Sequence, residues 1–240
     1  FSKTTAVTVT GCTHYSTNEV VAASGIQLEE NMFRLKDEEI EAALLAKYPY
    51  MEQVHIRRVL PSGIVLEVTE ETPAAVVAVD AVNYTIISDT GKVLEASLTA
   101  PPEGIPLAKG IETESSSAGE YLPEDQQEAL SMLNKLNAAL AATGFGGEVD
   151  YYDLSNEFNM TMLYDGRIWI ELGSESELED KLKFIKEVID NQLEDTFMGT
   201  MDASQRPEIW TTPMDITPLI DQDLISLQPQ EEPEEEQEPP

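Results

Sequence analysis

The spacing of apolar and polar positions changes repeatedly along the first third of the chain, and each change marks an element. Ala6-Val7-Thr8-Val9-Thr10 is β-rich and stops at Gly11, after which Ser16-Thr17-Asn18-Glu19 has the spacing of a capping box. The short helix it opens is expected to run through Ala23 and end at Gly25. A second helix is expected from Asp37 as N-cap, with Ile40, Leu44, Leu45 and Tyr48 on one face, until Pro49 stops it. Beyond it the period drops to two. Val54, Ile56, Arg58 and Leu60 alternate with His55, Arg57 and Val59, and Ile64, Leu66 and Val68 alternate with Val65, Glu67 and Thr69. Pro61-Ser62-Gly63 joins these runs as a tight hairpin. A small sheet with two helices on one face buries all of these stripes at once.

From Pro73 onward strands dominate. Short β segments are expected at 74–79, 84–88 and 91–94, with Asp89-Thr90-Gly91 as a turn, and loops at 100–104 and 115–119. A helix is expected from near Pro123 to the Thr143-Gly144 break, with Leu130, Leu133, Leu136 and Leu140 as its apolar stripe. Strands follow at 149–154, 158–164 and 167–172, the last two joined by Asp165-Gly166, a strong hairpin signal. Leu178, Leu182, Ile185, Val188 and Ile189 make one more amphipathic helix, and a final β-like piece covers 208–212. From Gln228 only Gln, Glu and Pro occur, so that tail is expected to be a disordered, solvated acidic segment. The pattern predicts an α+β protein in three parts. Residues 1–73 form a β-α-α-β-β module, 74–213 a larger β-rich domain with a mixed or antiparallel sheet and at least two helices, and 214–240 a C-terminal extension.

Charge narrows the functions open to this body. The formal net charge is -32, and the last twenty residues hold eight acids and no Lys or Arg, so residues 1–220 still carry -24. Such a surface repels DNA, RNA and anionic lipid headgroups and favours basic patches on protein partners. The lone Cys12 leaves no internal disulfide to build on. No run approaches the roughly 20 apolar residues that span a bilayer, and no signal-peptide pattern is recognisable. The first residue is Phe, so residues upstream are expected.

Candidate chemistry is sparse. Asp89-Thr90-Gly91 matches the catalytic tripeptide of aspartic proteases, which in the retroviral type take the second Asp from a dimer. It follows Ser88 and precedes Lys92, where such enzymes have a hydrophobic and a small residue, and it reads equally as a hairpin turn. Cys12 and His14 supply two ligands, short of a zinc site, and lack the third group that would orient a Cys-His nucleophile. The acidic clusters lack a calcium-loop pattern. No catalytic residue, metal or cofactor is expected. Arg57 stands out among few basic residues: it is either a contact on the exposed face of its strand or a local ion pair with Glu67 or Glu52.

Many residues at the joints resemble the FtsQ/DivIB family over nearly the whole chain up to about Pro213. The matching runs include Val7-Thr8-Val9-Thr10-Gly11, Gly25-Ile26, Asn31-Met32-Phe33, Tyr48-Pro49, Arg57-Arg58, Leu60-Pro61 and Glu67 to Ala74. They continue through Asp89-Thr90-Gly91-Lys92-Val93, Ile105-Pro106-Leu107 with Gly110, Leu172-Gly173 and Met201-Asp202. The first third looks like a POTRA domain, the polypeptide-transport-associated module. Glu71 departs from the family, which often has Arg or Lys there, and so does the acidity.

The resemblance implies a non-catalytic scaffold of the bacterial cell-division complex. It would sit at the septum on the extracytoplasmic face of the cytoplasmic membrane, held by an upstream transmembrane helix. Implied partners are the small bitopic FtsB/DivIC- and FtsL-like proteins, through which septal peptidoglycan synthesis is regulated, with other division proteins reached through the POTRA domain. In such a host the sequons at Asn83 and Asn159 carry no meaning. The resemblance also places a partner-binding sheet edge at Glu208-Ile209-Trp210-Thr211-Thr212, with Trp210 as anchor. The competing reading makes Trp210 a core aromatic and covers the strand with residues 214–227. Two other functions stay open: a POTRA-bearing translocation or secretion component that binds extended polypeptides, and a dimeric aspartic protease using Asp89.

Overall fold

A computed structural model of the chain describes residues 3–114, 117–205 and 207–225. It divides into two compact units, one of Phe1–Ala74, Ile86–Ala96 and Ser115–Glu124, the other of Ala75–Thr85, Ser97–Glu114 and Asp125–Pro240.

The first unit opens with β1 (Ala6–Thr10), α1 (Thr17–Ser24), α2 (Asp37–Lys47), β2 (Met51–Val59) and β3 (Gly63–Glu70), the expected β-α-α-β-β order. The strands lie in the order β1-β3-β2. β1 is parallel to β3 with Val9 opposite Leu66, and β2 antiparallel to it with Ile56 opposite Leu66. Both helices close on a core of Val20, Met32, Leu44, Met51 and Leu66. The capping box forms: the Glu19 N–H donates to Ser16 Oγ at 3.2 Å and the Ser16 N–H to the Glu19 carboxylate at 3.1 Å. α1 ends at Gly25 with φ 73°, where only a residue without Cβ is free of strain.

Asp37 does not cap α2. Lys36 holds the N-cap position without a side-chain hydrogen bond. The Asp37 carboxylate turns instead to Arg58, whose Nη2 and Nη1 donate to it at 2.6 and 2.9 Å. The same guanidinium donates to the carbonyls of Met32 and Leu35, at 2.9 and 3.2 Å. An Arg on the inward face of β2 thus closes the turn that leads into α2, a stronger set of bonds than one cap would supply.

Next come β4 (Pro73–Ala78), β5 (Tyr84–Ser88) and β6 (Val93–Leu98). β6 starts later than expected because Gly91 belongs to the turn and Lys92 makes only an isolated antiparallel bridge, to Tyr121: the Gly91 N–H donates to the Ser88 carbonyl at 3.0 Å and Gly91 has φ 82°. Behind this turn lie two buried charged residues, Glu71 and Lys92. Thr90 Oγ1 donates to the Glu71 carboxylate at 2.8 Å, and Lys92 Nζ donates to the Met51 carbonyl at 2.9 Å. Burial lowers the Lys92 pKa against the opposing pull of Glu71 and Glu52. The acid at Glu71 therefore faces a lysine of the same chain.

The second unit is built on a mixed sheet. With β7 (Leu107–Lys109), β8 (Val149–Asp153), β9 (Met160–Tyr164), β10 (Ile168–Gly173), β11 (Gly199–Asp202) and β12 (Trp210–Pro213), the strands run β12-β11-β10-β9-β8-β7-β4. β4-β7, β7-β8 and β10-β11 are parallel, and β8-β9, β9-β10 and β11-β12 antiparallel. α3 (Gln127–Ala142) and α4 (Leu178–Gln192) cover one face. Tyr152 of β8 donates to Asn137 of α3 at 2.9 Å, and Lys181 of α4 donates to the Leu172 carbonyl of β10 at 2.9 Å. Asp165 and Gly166, with φ 50° and 62°, make the tight β9-β10 turn that their pairing predicts.

Several bounds differ from expectation. A 3-10 turn, Glu124–Gln126, precedes α3. β9 begins at Met160 because the Asn156 side chain accepts the Phe158 N–H at 3.0 Å and holds a turn there. β7, β11 and a last helix, α5 (Thr217–Ile225), were not expected as elements. Ser115, Ser116 and the tail from Gln228 lie outside the described residues.

Candidate partner-binding edge

β12 is the end strand of the second unit's sheet, and all four of its residues are exposed. Two flanking hydrogen bonds fix which of its backbone groups are used. The Gly199 N–H donates to Arg167 on the β10 side at 3.0 Å, and the Met214 N–H to Met198 at 3.2 Å. An antiparallel ladder alternates, so Thr200 with Thr212 and Asp202 with Trp210 face each other as bonded pairs. The N–H and C=O of Thr211 and the carbonyl of Pro213 then point away from the sheet. Gly199 makes this docking possible: a Cβ there would stand 2.2 Å from the Thr212 carbonyl oxygen.

Trp210 is 67% exposed and is not a core aromatic. Ile209 is half-buried and Glu208 exposed, and both precede the strand, which spans Trp210–Pro213 rather than 208–212. The Glu208 N–H donates to the Gln205 carbonyl at 3.2 Å. α5 follows at once. Its start is marked by Asp215, whose carboxylate accepts the Thr217 N–H at 3.0 Å, and by the buried Ile216.

Strand register sorts the sheet face opposite α3 and α4 into rows. One row is Leu107, Tyr151, Leu163, Trp169, Thr200 and Thr212. Tyr151 and Trp169 stack with ring centroids 5.9 Å apart. They floor an apolar cleft of about 260 Å3, closed by Pro101, Pro102, Ile105 and Ile220 of α5. The next row is Lys109, Asp153, Thr161, Glu171, Asp202 and Trp210. Burial and then the neighbouring Asp202 charge raise the Glu171 pKa. Pattern reading missed both rows, because four-residue β11 links them to the edge and alternation cannot flag so short a strand.

The other candidate residues lie elsewhere. Arg57 is on β2 in the first unit, its guanidinium on the Glu67 carboxylate. Asp89 forms a hairpin turn, its N–H donating to the Thr72 carbonyl at 3.0 Å. His14 stacks on Tyr50 at 3.8 Å and bonds Glu70, while Cys12 Sγ contacts the Tyr15 carbonyl at 3.5 Å. Among the described residues no group of three His, Cys, Asp or Glu is placed to hold a metal, and no helix is long and apolar enough to cross a membrane.

A β-α-α-β-β module followed by a mixed, helix-backed sheet defines a POTRA-bearing protein, and residues 2–71 match the family model described as POTRA domain, FtsQ-type. Residues 75–204, more than half of the chain, match the model described as Cell division protein FtsQ/DivIB, C-terminal, and the chain belongs to that family. Curated relatives agree. Cell division protein FtsQ of Anaeromyxobacter sp. (strain K) is 24% identical over 206 residues, 82% of this chain and 67% of that protein. FtsQ of Corynebacterium glutamicum is 28% identical over 176 residues, 73% of each. Cell division protein DivIB of Clostridium botulinum is 26% identical over 157 residues, 65% of this chain and 60% of the relative. β12 lies beyond the residues that the family models cover.

Proposed function

We propose that this chain is the extracytoplasmic part of a non-catalytic division scaffold that binds FtsB/DivIC- and FtsL-like membrane proteins and so helps regulate septal peptidoglycan synthesis. Membership of the FtsQ/DivIB family gives the division role. The observation that carries the binding mode is the exposed end strand β12, whose Thr211 backbone faces outward beside an exposed Trp210. Such an edge accepts a strand from a partner: main-chain hydrogen bonds supply affinity and alternate side chains supply selectivity. Glu208, Ile209, Trp210, Thr211 and Thr212 form the docking strand, and Arg57 marks a second contact on the POTRA face. A transmembrane helix upstream anchors the scaffold at the septum.

A fluorescent fusion of the full-length protein tests the role. A midcell band is expected, and a uniform envelope signal overturns it. Binding of the FtsB/DivIC-like extracytoplasmic fragment from the same genome tests the edge. Thr211→Pro removes the outward N–H without touching the β11 ladder, and it should reduce affinity at least about tenfold. Unchanged affinity in a folded variant would refute the edge.

A further inference from the structure

The row that ends at Trp210 is electrostatically incomplete. Its cation, Lys109, is paired with Asp153 at 3.5 Å. Two carboxylates remain, Glu171 and Asp202, opposite one another across β10 and β11. Asp202 accepts the N–H and the hydroxyl of Ser204, at 2.9 and 2.6 Å through one oxygen. The Glu171 carboxylate has no hydrogen bond or ion pair among the described residues, although the residue is half-buried. On its other side Thr161, also on this face by register, is only 9% exposed and its hydroxyl has no partner among the described residues. An orphaned hydroxyl, an unpaired carboxylate and a second carboxylate with free lone pairs thus line up beside the exposed indole.

A half-buried charge without a counter-charge is costly, and so is a buried hydroxyl without a bond. Both costs vanish if the complement comes from another molecule. The complement must be cationic and long. Strands in a sheet lie about 4.8 Å apart, so a residue on a strand added to β12 stands about 10 Å from β11. Only Arg and Lys reach across Trp210 to Asp202 from there. Arg fits better, because its planar guanidinium stacks on an indole while its donor fork engages carboxylates.

We propose that the segment which adds to β12 is basic: the residue it places beside Trp210 is an Arg or Lys, laid across the indole and received by Asp202 and Glu171. This inference rests on β12 being the partner edge. It turns the chain's acidity into a specificity element, since a segment with Glu at that position would meet two carboxylates.

The test uses the same FtsB/DivIC-like extracytoplasmic fragment and isothermal titration, with thermal melts as fold controls. Glu171→Gln and Asp202→Asn, both near-isosteric, should each weaken binding about fivefold or more while the variants stay folded. Replacing the fragment's basic residues singly by Glu should reveal one whose effect is not additive with Glu171→Gln. If Thr211→Pro abolishes binding but Glu171→Gln and Asp202→Asn leave it unchanged, the basic-segment inference is overturned and the edge stands. If the unmodified chain does not bind the fragment, both fall.

Discussion

At the scale of single residues, two charged groups on opposite sides of the molecule's logic predict opposite effects. Arg58 is a structural cation: one guanidinium satisfies Asp37 and the carbonyls of Met32 and Leu35. Removing it leaves three acceptors short, and since the Asp37 side chain is 45% exposed, water repairs part of the loss. Arg58→Ala should cost about 1–2 kcal/mol in denaturant unfolding. The hydrogen bond from Arg58 lowers the Asp37 pKa, so this contribution is present above the ordinary value of 3.8 and is lost as pH falls through the depressed one. The arginine variant's deficit should therefore shrink in acid. Glu171 behaves the other way. Burial and Asp202 raise its pKa, so the folded state holds this proton more tightly than the unfolded chain does. Its contribution is favourable below the ordinary 4.5 and is lost as pH rises through the raised value. Glu171→Gln should raise the melting temperature by about 1–3 °C at pH 7 and by nothing at the acidic end of that window. A melting temperature that falls at pH 7 would show that Glu171 is already paired within the chain.

At the scale of elements, β12 depends on a glycine outside it. A Cβ at position 199 would stand 2.2 Å from the Thr212 carbonyl and 2.9 Å from the Phe197 ring. Gly199→Ala should push β12 off β11, speed amide exchange across Trp210–Pro213 and reduce partner binding by at least about tenfold, while α3 and α4 keep their protection. Slow exchange retained in β12 would mean that the strand can shift without detaching. This dependence was not legible beforehand, because Gly199-Thr200-Met201-Asp202 shows no alternation long enough to count as a strand. β7 was missed for the same reason: Leu107–Lys109 is a three-residue buried parallel strand between Pro106 and Gly110, and burial on both faces erases period two. α5 was missed although Asp215, Thr217 and Pro218 carry a start signal and Ile216, Leu219, Ile220 and Leu224 recur at helical spacing, because the segment was read only as part of a C-terminal extension. What was legible had local causes. Ser16 and Glu19 cap α1, Gly25 ends it, and Asp165-Gly166 turns β9 into β10. Trp210 was picked out as an anchor, but the acidic row beside it exists only once β10, β11 and β12 are in register, and register is not written in any one segment.

At the scale of the whole molecule, the charge of -32 sets two responses to salt that run in opposite directions. The folded chain concentrates like charges and so carries a self-repulsion that the unfolded chain partly escapes. Raising ionic strength from about 0.01 to 0.15 M shortens the screening length from roughly 30 to 8 Å, which reaches most pairs on a body this size. The melting temperature should therefore rise with salt over that range. Association with a basic segment should weaken over the same range, because the attraction that steers it and the pairing at Asp202 are both screened. The edge contributes backbone hydrogen bonds that salt hardly touches, so binding should level off rather than vanish, and Thr211→Pro should remove that plateau. Measuring melting and binding side by side separates the terms. Parallel slopes would mean that salt acts on folding alone and that the partner surface is not basic. Opposed slopes, with the binding slope flattened by Glu171→Gln, would place the attraction in the row beside Trp210 rather than in the molecule's overall field.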